Sequence, residues 1–362
     1  MLIYVCSSSH GFGHAARDAA VLQQLRRLRP DWRLVLSSAV DSRFLRVLLG
    51  DDAIEQRSCR WDVGMVQADA LGSDPTATLK ALAALDLALP KLIDEEARWI
   101  AAQGTSAVVL GDVPPAAADL AGRLQAPLVW MSNFGWDDIY RPFGPAFQRP
   151  VEQARAAYAS GCCLLRCPFD LPMDWGLPEQ RLGLVCSQPR PLPQDLQDRL
   201  TASDRPRVQV GFGGMGLTLS PRLFAHWPGV QFLMAAPVDP DERAALEPVA
   251  NLQLLPEGVR PLDAFPYCDR HLGKPGFSTF SEALASSVGL HVVERRDFAE
   301  VEALIQGLRS HGHHRLLTRN QLEIGDWQLD QPLVAPTAQR LGSDGARQAA
   351  LALIRLAEQL AD

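Results

Sequence analysis

Two histidines, His10 and His14, flank a short turn, Gly11-Phe12-Gly13, near the start of the chain. Histidine is the side chain whose charge changes most readily near neutral pH, so the turn carries two candidates for proton transfer. The glycines let main-chain N–H groups approach a ligand at a helix start, where the helix dipole favours an anion. The turn therefore predicts proton transfer, anion binding or both, and a packing turn with two incidental histidines is the plain alternative.

The surrounding sequence places this turn between a strand and a helix. Residues 2–6 are apolar and predict a buried strand, and apolar positions between 15 and 28 fall at helical spacing. Strand-like segments alternate with helical ones at 34–37, 107–110 and 128–131. This alternation predicts a parallel sheet covered on both faces, with ligands at the carboxyl ends of its strands. Asp112 and residues 133–136 follow two of those strands, so we expect them near the histidine turn.

The α/β pattern stops and then restarts. Prolines punctuate residues 166–205, which show no sustained period and predict a connection between domains. A strand-like segment begins at 208 and runs directly into Gly213-Gly214. We therefore expect α/β domains at 1–165 and 206–335, and a closing segment at 336–362 that contains an amphipathic helix. In the first domain, a long helical pattern over 76–102 is expected to break at Pro90.

A second candidate site lies in the second half. Gly276, Ser278 and Thr279 stand in a glycine-containing loop at a predicted helix start, with Ser278 or Thr279 as the N-cap. Free N–H groups and hydroxyls at such a start can hold a diphosphate without a metal. Glu282, one turn further, could accept hydrogen bonds from ribose hydroxyls. A capping box with no ligand is the alternative, and spacing alone favours it.

Composition narrows the class of protein. The 362 residues carry a net charge of −7 without a basic run, so we expect no nucleic-acid partner. No apolar run reaches the roughly twenty residues that span a membrane, and the start does not resemble a signal peptide. A cytoplasmic protein is expected, with contact at a membrane surface left open.

Cysteine and histidine clusters predict no metal site. The seven cysteines are odd in number and stand mostly in apolar contexts, which indicates buried reduced thiols. His311, His313 and His314 lack accompanying cysteine or carboxylate ligands, so a solvated loop is expected there.

In combination, these motifs resemble GT-B glycosyltransferases, and most closely the glycosyltransferase-like N-terminal domain of L-arabinokinase and its stand-alone relatives. The matching segments keep the family's order at 10–15 with Arg17, 132–137, 139–140, 212–214, 272–274, 281–284, 295–297 and 325–327. The chain departs from the family at Ser9 and Ala16, where Gly and Thr are usual, and at residues 276–279, where the family has Gly-Tyr-Gly-Thr. The kinase part of arabinokinase has no counterpart here, so no sugar-kinase activity is expected.

The resemblance implies two Rossmann-like domains facing each other across a cleft, with the closing helix packed toward the first. It also implies metal-independent transfer of a hexosyl group from a nucleotide diphosphate sugar, UDP-linked, to an acceptor that the sequence does not identify. His14 would be the general base, with His10 and Asp112 completing the catalytic set.

The remaining site residues follow from the same resemblance and from the two loops. Acceptor-side contacts are expected from Gly11, Gly13, Arg17, Asn133 and Trp136. Donor contacts are expected from Gly213, Gly214, Gly276, Ser278, Thr279, Glu282, Arg296 and Asp297. A non-catalytic nucleotide-sugar binding protein and a nucleotide-sugar epimerase on the same fold are the alternatives.

Overall fold

The chain forms two parallel β-sheets, each flanked by helices. The structure is a computed structural model that describes residues 1–50, 53–66, 72–212, 219–295 and 298–360. Within these residues, seven strands form the first sheet in the order β3-β2-β1-β4-β5-β6-β7, and six form the second in the order β10-β9-β8-β11-β12-β13. Their bounds are β1 Leu2–Ser7, β2 Arg33–Ser37, β3 Glu55–Arg57, β4 Ala107–Asp112, β5 Leu128–Ser132, β6 Cys163–Arg166, β7 Glu179–Arg181, β8 Arg207–Gly211, β9 Gln231–Ala235, β10 Leu252–Leu255, β11 Arg270–Gly273, β12 Gly289–Val293 and β13 His314–Leu317.

Helices connect these strands. They are α1 Gly13–Leu28, α2 Ser42–Leu49, α3 Pro75–Ala101, α4 Ala116–Leu124, α5 Trp136–Tyr140, α6 Gln148–Tyr158, α7 Gln194–Thr201, α8 Pro221–Ala225, α9 Pro240–Leu246, α10 Pro261–Ala264, α11 Phe277–Ala285, α12 Glu300–His311, α13 Arg319–Ile324 and α14 Gly345–Gln359. Short 3₁₀ turns occur at Arg141–Phe143, Pro145–Phe147 and Phe265–Tyr267.

The first strand is the centre of the first sheet. β1 pairs with β2 on one side and with β4 on the other, both in parallel. All six of its residues are buried, as expected for a strand covered by helices on both faces. The register places Ser7 opposite Asp112, so the histidine turn leaves the sheet beside the end of β4.

The segment predicted to connect the two domains, residues 166–205, contains regular secondary structure. β7 lies inside residues 166–205 and forms the edge of the first sheet beside β6, and α7 follows it. β7 has only three residues and all of them are polar, so it shows no alternation of apolar and polar positions. The sequence therefore contains no indication of this strand. The first sheet therefore extends past residue 165.

The long helix α3 continues through Pro90, which corrects the predicted break. Pro90 lies on an exposed face of the helix. There, water can bind the carbonyl group that loses its helical partner.

The closing helix α14 packs along α1 of the first domain. Ala349 and Leu353 are fully buried in a core that contains β1 and α1 as well as α11 of the second domain. Arg29 and Glu358 join the two helices at the surface, with a nitrogen–oxygen distance of 2.9 Å. The two sheets are thus connected by shared apolar packing as well as by the chain.

The structure corrects two predictions, one that the histidine tract is a solvated loop and one that the cysteines are buried. His314 lies in β13 and is buried, and His311 ends α12, so this tract is not one solvated loop. All seven cysteines are free, but Cys162 is exposed and Cys163 and Cys268 are only partly buried. Cys162 stands in the turn before β6, where an apolar neighbourhood in sequence does not ensure burial.

Candidate active site in the cleft between the two sheets

The site forms where β1, β4 and β5 end. Parallel strands present their carboxyl ends at one edge, so Ser7, Asp112 and Ser132 come together there. α1 begins directly above them at Gly13, and its first turn carries His14. Gly11 has a φ of +76°, a conformation that favours glycine and lets the chain turn from strand to helix.

His14 is held by Asp112. Its Nδ1 lies 2.8 Å from Asp112 Oδ1, and both side chains are buried. The His14 ring also meets the edge of Phe134, at 5.5 Å between centroids. The expected pairing of these two residues is therefore present.

Arg17 binds the same carboxylate from the other side. Its Nε donates to Asp112 Oδ2 over 2.5 Å, and its Nη2 donates to Asp112 Oδ1 and to Ser132 Oγ. Both Nη2 hydrogens are thus used, so the contact between Nη2 and His14 Nδ1 carries no hydrogen bond. The network assigns the ring proton to Nδ1, which donates it to Asp112, and the lone pair is then on Nε2, which has no hydrogen-bond partner among the described residues.

The charge of Asp112 is stabilised by this arrangement. Burial raises the pKa of Asp112, but the positive charge of Arg17, the hydrogen bonds and His14 outweigh it and hold the pKa at about 2. A carboxylate that stays ionised can stabilise an imidazolium on His14 after proton uptake. The arrangement is suited to a general base.

His10 has a different environment. Its ring stacks on Phe298 at 5.5 Å and meets the edge of Trp136 at 5.4 Å, and its Nδ1 accepts a hydrogen bond from the Met65 N–H. Burial, together with the charges of His14, Arg295 and Lys274, lowers the pKa of His10 to about 3. In the neutral ring the remaining nitrogen carries the proton, so His10 can donate a hydrogen bond but cannot act as the general base. The structure thus favours His10 as a neutral hydrogen-bond donor on this turn, and its role in catalysis stays a prediction.

Asp62 is a site residue that the sequence did not reveal. Its Oδ2 accepts from Trp136 Nε1 over 2.9 Å and its Oδ1 from the Ser9 N–H over 3.4 Å. Burial raises the pKa of Asp62. It stands in an irregular segment after the three-residue strand β3, so no motif or period marked it.

The acceptor-side assignments of Arg17, Asn133 and Trp136 are not supported. Each is nearly or fully buried, and their polar atoms bind protein partners. Asn133 Oδ1 accepts from Arg17 Nη1 over 2.7 Å, and its Nδ2 donates to Glu300 of the second domain over 2.7 Å. Arg17 and Asn133 thus support Asp112 and connect it to the second domain, whereas Trp136 binds Asp62. Gly11 and Gly13 remain at the surface of the turn.

Helix α11 of the second domain faces the histidine turn. It begins after Gly276, and no side chain caps it, so Ser278 and Thr279 lie inside its first turn and the predicted N-cap is wrong. Ser278 Oγ donates to the Gly13 carbonyl oxygen over 2.8 Å, which brings the start of α11 against the start of α1. Among the described residues, no side chain accepts from the main-chain N–H groups of the first turn of α11, and such N–H groups at a helix start can bind an anion.

Glu282 lies one turn further along α11. Burial raises its pKa to about 7, Arg260 lowers it and Asp263 raises it again. Arg260 is itself paired with Asp263 at 2.5 Å, so it does not neutralise Glu282 fully. The donor-side residues Gly213, Gly214, Arg296 and Asp297 lie outside the described residues.

Lys274 and Arg295 bring positive charge to the cleft. Lys274 follows β11, and Arg295 follows the adjacent strand β12 and places its guanidinium 4.6 Å from the Phe298 ring centre. Burial and the charge of Arg295 lower the pKa of Lys274 to about 8, against the opposing charge of Glu300. In the sequence, both residues stand out only as matches to a family, because a lone lysine or arginine has no recognisable spacing.

The described residues contain neither a metal-binding cluster nor a membrane-spanning helix. No cluster of three or more His, Cys, Asp and Glu side chains there has the geometry to hold a metal ion. None of the helices in those ranges is both long and apolar enough to cross a membrane.

Known proteins resemble this chain in sequence or in fold. No family model matches the chain. L-arabinokinase from Arabidopsis thaliana is 27% identical over 326 residues, which cover 88% of this chain but only 31% of that protein. The chain thus spans about a third of the length of the relative that it matches.

Solved structures share the fold at low identity. A UDP-glucosyltransferase from Polygonum tinctorium that glucosylates indoxyl matches with a TM-score of 0.61 and 16% identity, over 99% of this chain and 93% of that one. Arabidopsis thaliana UGT89C1 in complex with UDP-L-rhamnose matches with a TM-score of 0.57 and 14% identity, over 98% and 93%. A putative UDP-N-acetylglucosamine 2-epimerase from Listeria monocytogenes matches with a TM-score of 0.62 and 13% identity, over 100% and 97%. The two sheets with their flanking helices therefore form the α/β GT-B glycosyltransferase-like fold.

Proposed function

We propose that the chain is a transferase that moves a hexosyl group from a nucleoside diphosphate sugar, UDP-linked, to an acceptor hydroxyl. The observation that carries the proposal is the contact of Ser278 with Gly13, which sets the uncapped start of α11 against the turn that holds His14. An anion-binding end and a positioned base thus lie within one cleft. Direct displacement at the anomeric carbon needs both of these parts.

His14 is the general base of this proposal. The network with Asp112 and Arg17 leaves its Nε2 free to take the proton of the acceptor hydroxyl as the new bond forms. Asp112 then stabilises the imidazolium, and Arg17 keeps Asp112 ionised. The acceptor would approach from the first domain.

The donor would lie along the second domain. The first-turn N–H groups of α11 would hold the diphosphate, and Glu282 would accept hydrogen bonds from the ribose hydroxyls. The hydrogen bonds and the helix dipole act without a metal, so we propose that transfer proceeds without Mg²⁺. The UDP and UDP-sugar bound to structures of this fold support a UDP-linked donor.

A screen of nucleotides tests the proposal. We expect UDP and UDP-sugars to raise the melting temperature of the protein in the presence of EDTA, because a ligand stabilises the folded state by RT ln(1 + [L]/Kd). Incubation of a stabilising UDP-sugar with hydroxyl acceptors should then give a glycosylated product and free UDP. A protein that no nucleotide stabilises would contradict the proposal.

Epimerisation of a nucleotide sugar is the second candidate, since the fold is shared with the putative 2-epimerase. The two activities differ in their products. An epimerase forms the C2 epimer from a UDP-sugar without any acceptor, whereas a transferase needs the acceptor and releases UDP with the new glycoside.

Glu282→Gln is expected to weaken UDP binding by about 1–3 kcal/mol, the usual range for hydrogen bonds to a charged group. Because the pKa of Glu282 is raised to about 7, and ribose hydroxyls favour its ionised form, the affinity of the wild type should fall as the pH drops below 7. Titration calorimetry of both proteins between pH 6 and 8 measures this. Equal affinities, or the same pH dependence in the variant, would remove Glu282 from the donor site.

A further inference from the structure

The amine of Lys274 is an unusual feature of the cleft. The chain has three lysines, and Lys80 and Lys91 are exposed, whereas Lys274 Nζ is buried and has no hydrogen-bond partner among the described residues. Glu300 is the nearby carboxylate that acts on Lys274, but its Oε1 already accepts from Asn133. A buried ammonium group without a hydrogen bond is costly, so such an amine is explained best by an anion that binds it.

The position of Lys274 indicates which anion. It stands two residues before Gly276, from which the uncapped helix α11 begins. Arg295 follows the neighbouring parallel strand, so the two cations come from adjacent strand ends. Ser278, four positions after Lys274, donates to the Gly13 carbonyl oxygen over 2.8 Å, so the segment that carries the amine lies against the histidine turn. The buried amine thus belongs to the segment that leads from the end of β11 into the uncapped start of α11, and this segment faces the histidine turn.

We infer that Lys274 binds the β-phosphate of the donor and stabilises the diphosphate as it leaves; this rests on the function proposed above. In the transfer step, the acceptor oxygen forms a bond to the anomeric carbon, and its proton passes to His14 Nε2. The bond between the anomeric carbon and the β-phosphate oxygen breaks, and its electron pair stays on that oxygen. The ammonium group of Lys274 faces the negative charge that grows there, and this charge would otherwise need a metal ion.

The assignment predicts how affinity depends on the number of phosphates. In buffer with EDTA, Lys274→Gln should weaken UDP binding about tenfold to a hundredfold, the range for losing hydrogen bonds to a charged group. The substitution should weaken binding of UMP less, because UMP lacks the β-phosphate. It should leave the affinity for uridine unchanged. Lys274→Arg should keep part of the preference for UDP, and Lys80→Gln, an exposed control, should bind all three as the wild type does.

A pH series gives a second readout. Because the pKa of Lys274 is lowered to about 8 and an anion favours its protonated form, UDP affinity of the wild type should fall as the pH rises from 7.5 to 9.5. The terminal phosphate titrates near pH 6 and stays ionised over this range. Lys274→Gln should show no such fall.

The outcomes separate this inference from the proposed function. A wild type that binds no UDP overturns both. A wild type that binds UDP, with a Lys274→Gln variant that binds UDP equally well, overturns only the role of Lys274. Equal losses for UDP and uridine would show a general disturbance of the loop, and an unchanged UDP affinity with a raised KM for the acceptor would assign the amine to the acceptor; both contradict the inference.

Discussion

His14→Ala is expected to lower the rate of sugar transfer by about a hundredfold to ten-thousandfold, the usual loss on removal of a general base. UDP affinity should stay close to that of the wild type, because the proposed donor site is on α11 of the other domain. Turnover at saturating donor and acceptor, together with calorimetry of UDP, separates the two effects. His313→Ala, which changes an exposed histidine, is the matched control and should transfer normally.

Asp112→Asn tests the orientation of the same base. An asparagine amide that donates to His14 Nδ1 would move the ring proton to Nε2, which is the nitrogen that must accept. We therefore expect turnover to fall in this variant too, although its side chain has nearly the same size. If His14→Ala and Asp112→Asn both transfer sugar at the wild-type rate, proton transfer occurs elsewhere.

The histidine turn could be placed from sequence because its signals are local. An apolar strand, two glycines and a helical period define the turn, and parallel strand ends bring Asp112 to it. The distribution of charge within the site was not predictable. Burial and aromatic neighbours make His10 neutral, whereas a carboxylate orients His14, although the two histidines stand four positions apart in one motif.

Three residues expected to contact the acceptor are buried against protein partners, and one cause explains this difference. Arg17, Asn133 and Trp136 occur in motifs at strand ends, where sequence cannot tell a side chain that faces ligand from one that supports its neighbour. Their partners are distant in the chain, as with Arg17 and Asp112 or Asn133 and Glu300. The buried amine of Lys274 could not be predicted for the same reason, since burial depends on how the two domains meet.

Arg17→Met is expected to destabilise the first domain by about 3–5 kcal/mol, the cost of breaking a buried ion pair by removing one partner. The loss arises because the variant keeps Asp112 fully buried without the guanidinium that binds both of its oxygens. Urea unfolding at pH 7.5 measures it, with Arg181→Met as a control in which an exposed arginine on β7 is replaced.

The pH dependence of this loss distinguishes an unpaired charge from lost packing. In the wild type the pKa of Asp112 is held at about 2, below the usual value near 3.9, so its contribution to stability is present above pH 4 and disappears as the pH falls toward 2. Without Arg17, burial alone would raise the pKa of Asp112 above that of the unfolded chain. The folded variant then binds a proton more readily than the unfolded one, so its deficit relative to the wild type should shrink between pH 7.5 and pH 5. A deficit of the same size at both pH values would show that Arg17 stabilises the site through packing against Phe277, over which its guanidinium lies at 4.8 Å, and not through the charge of Asp112.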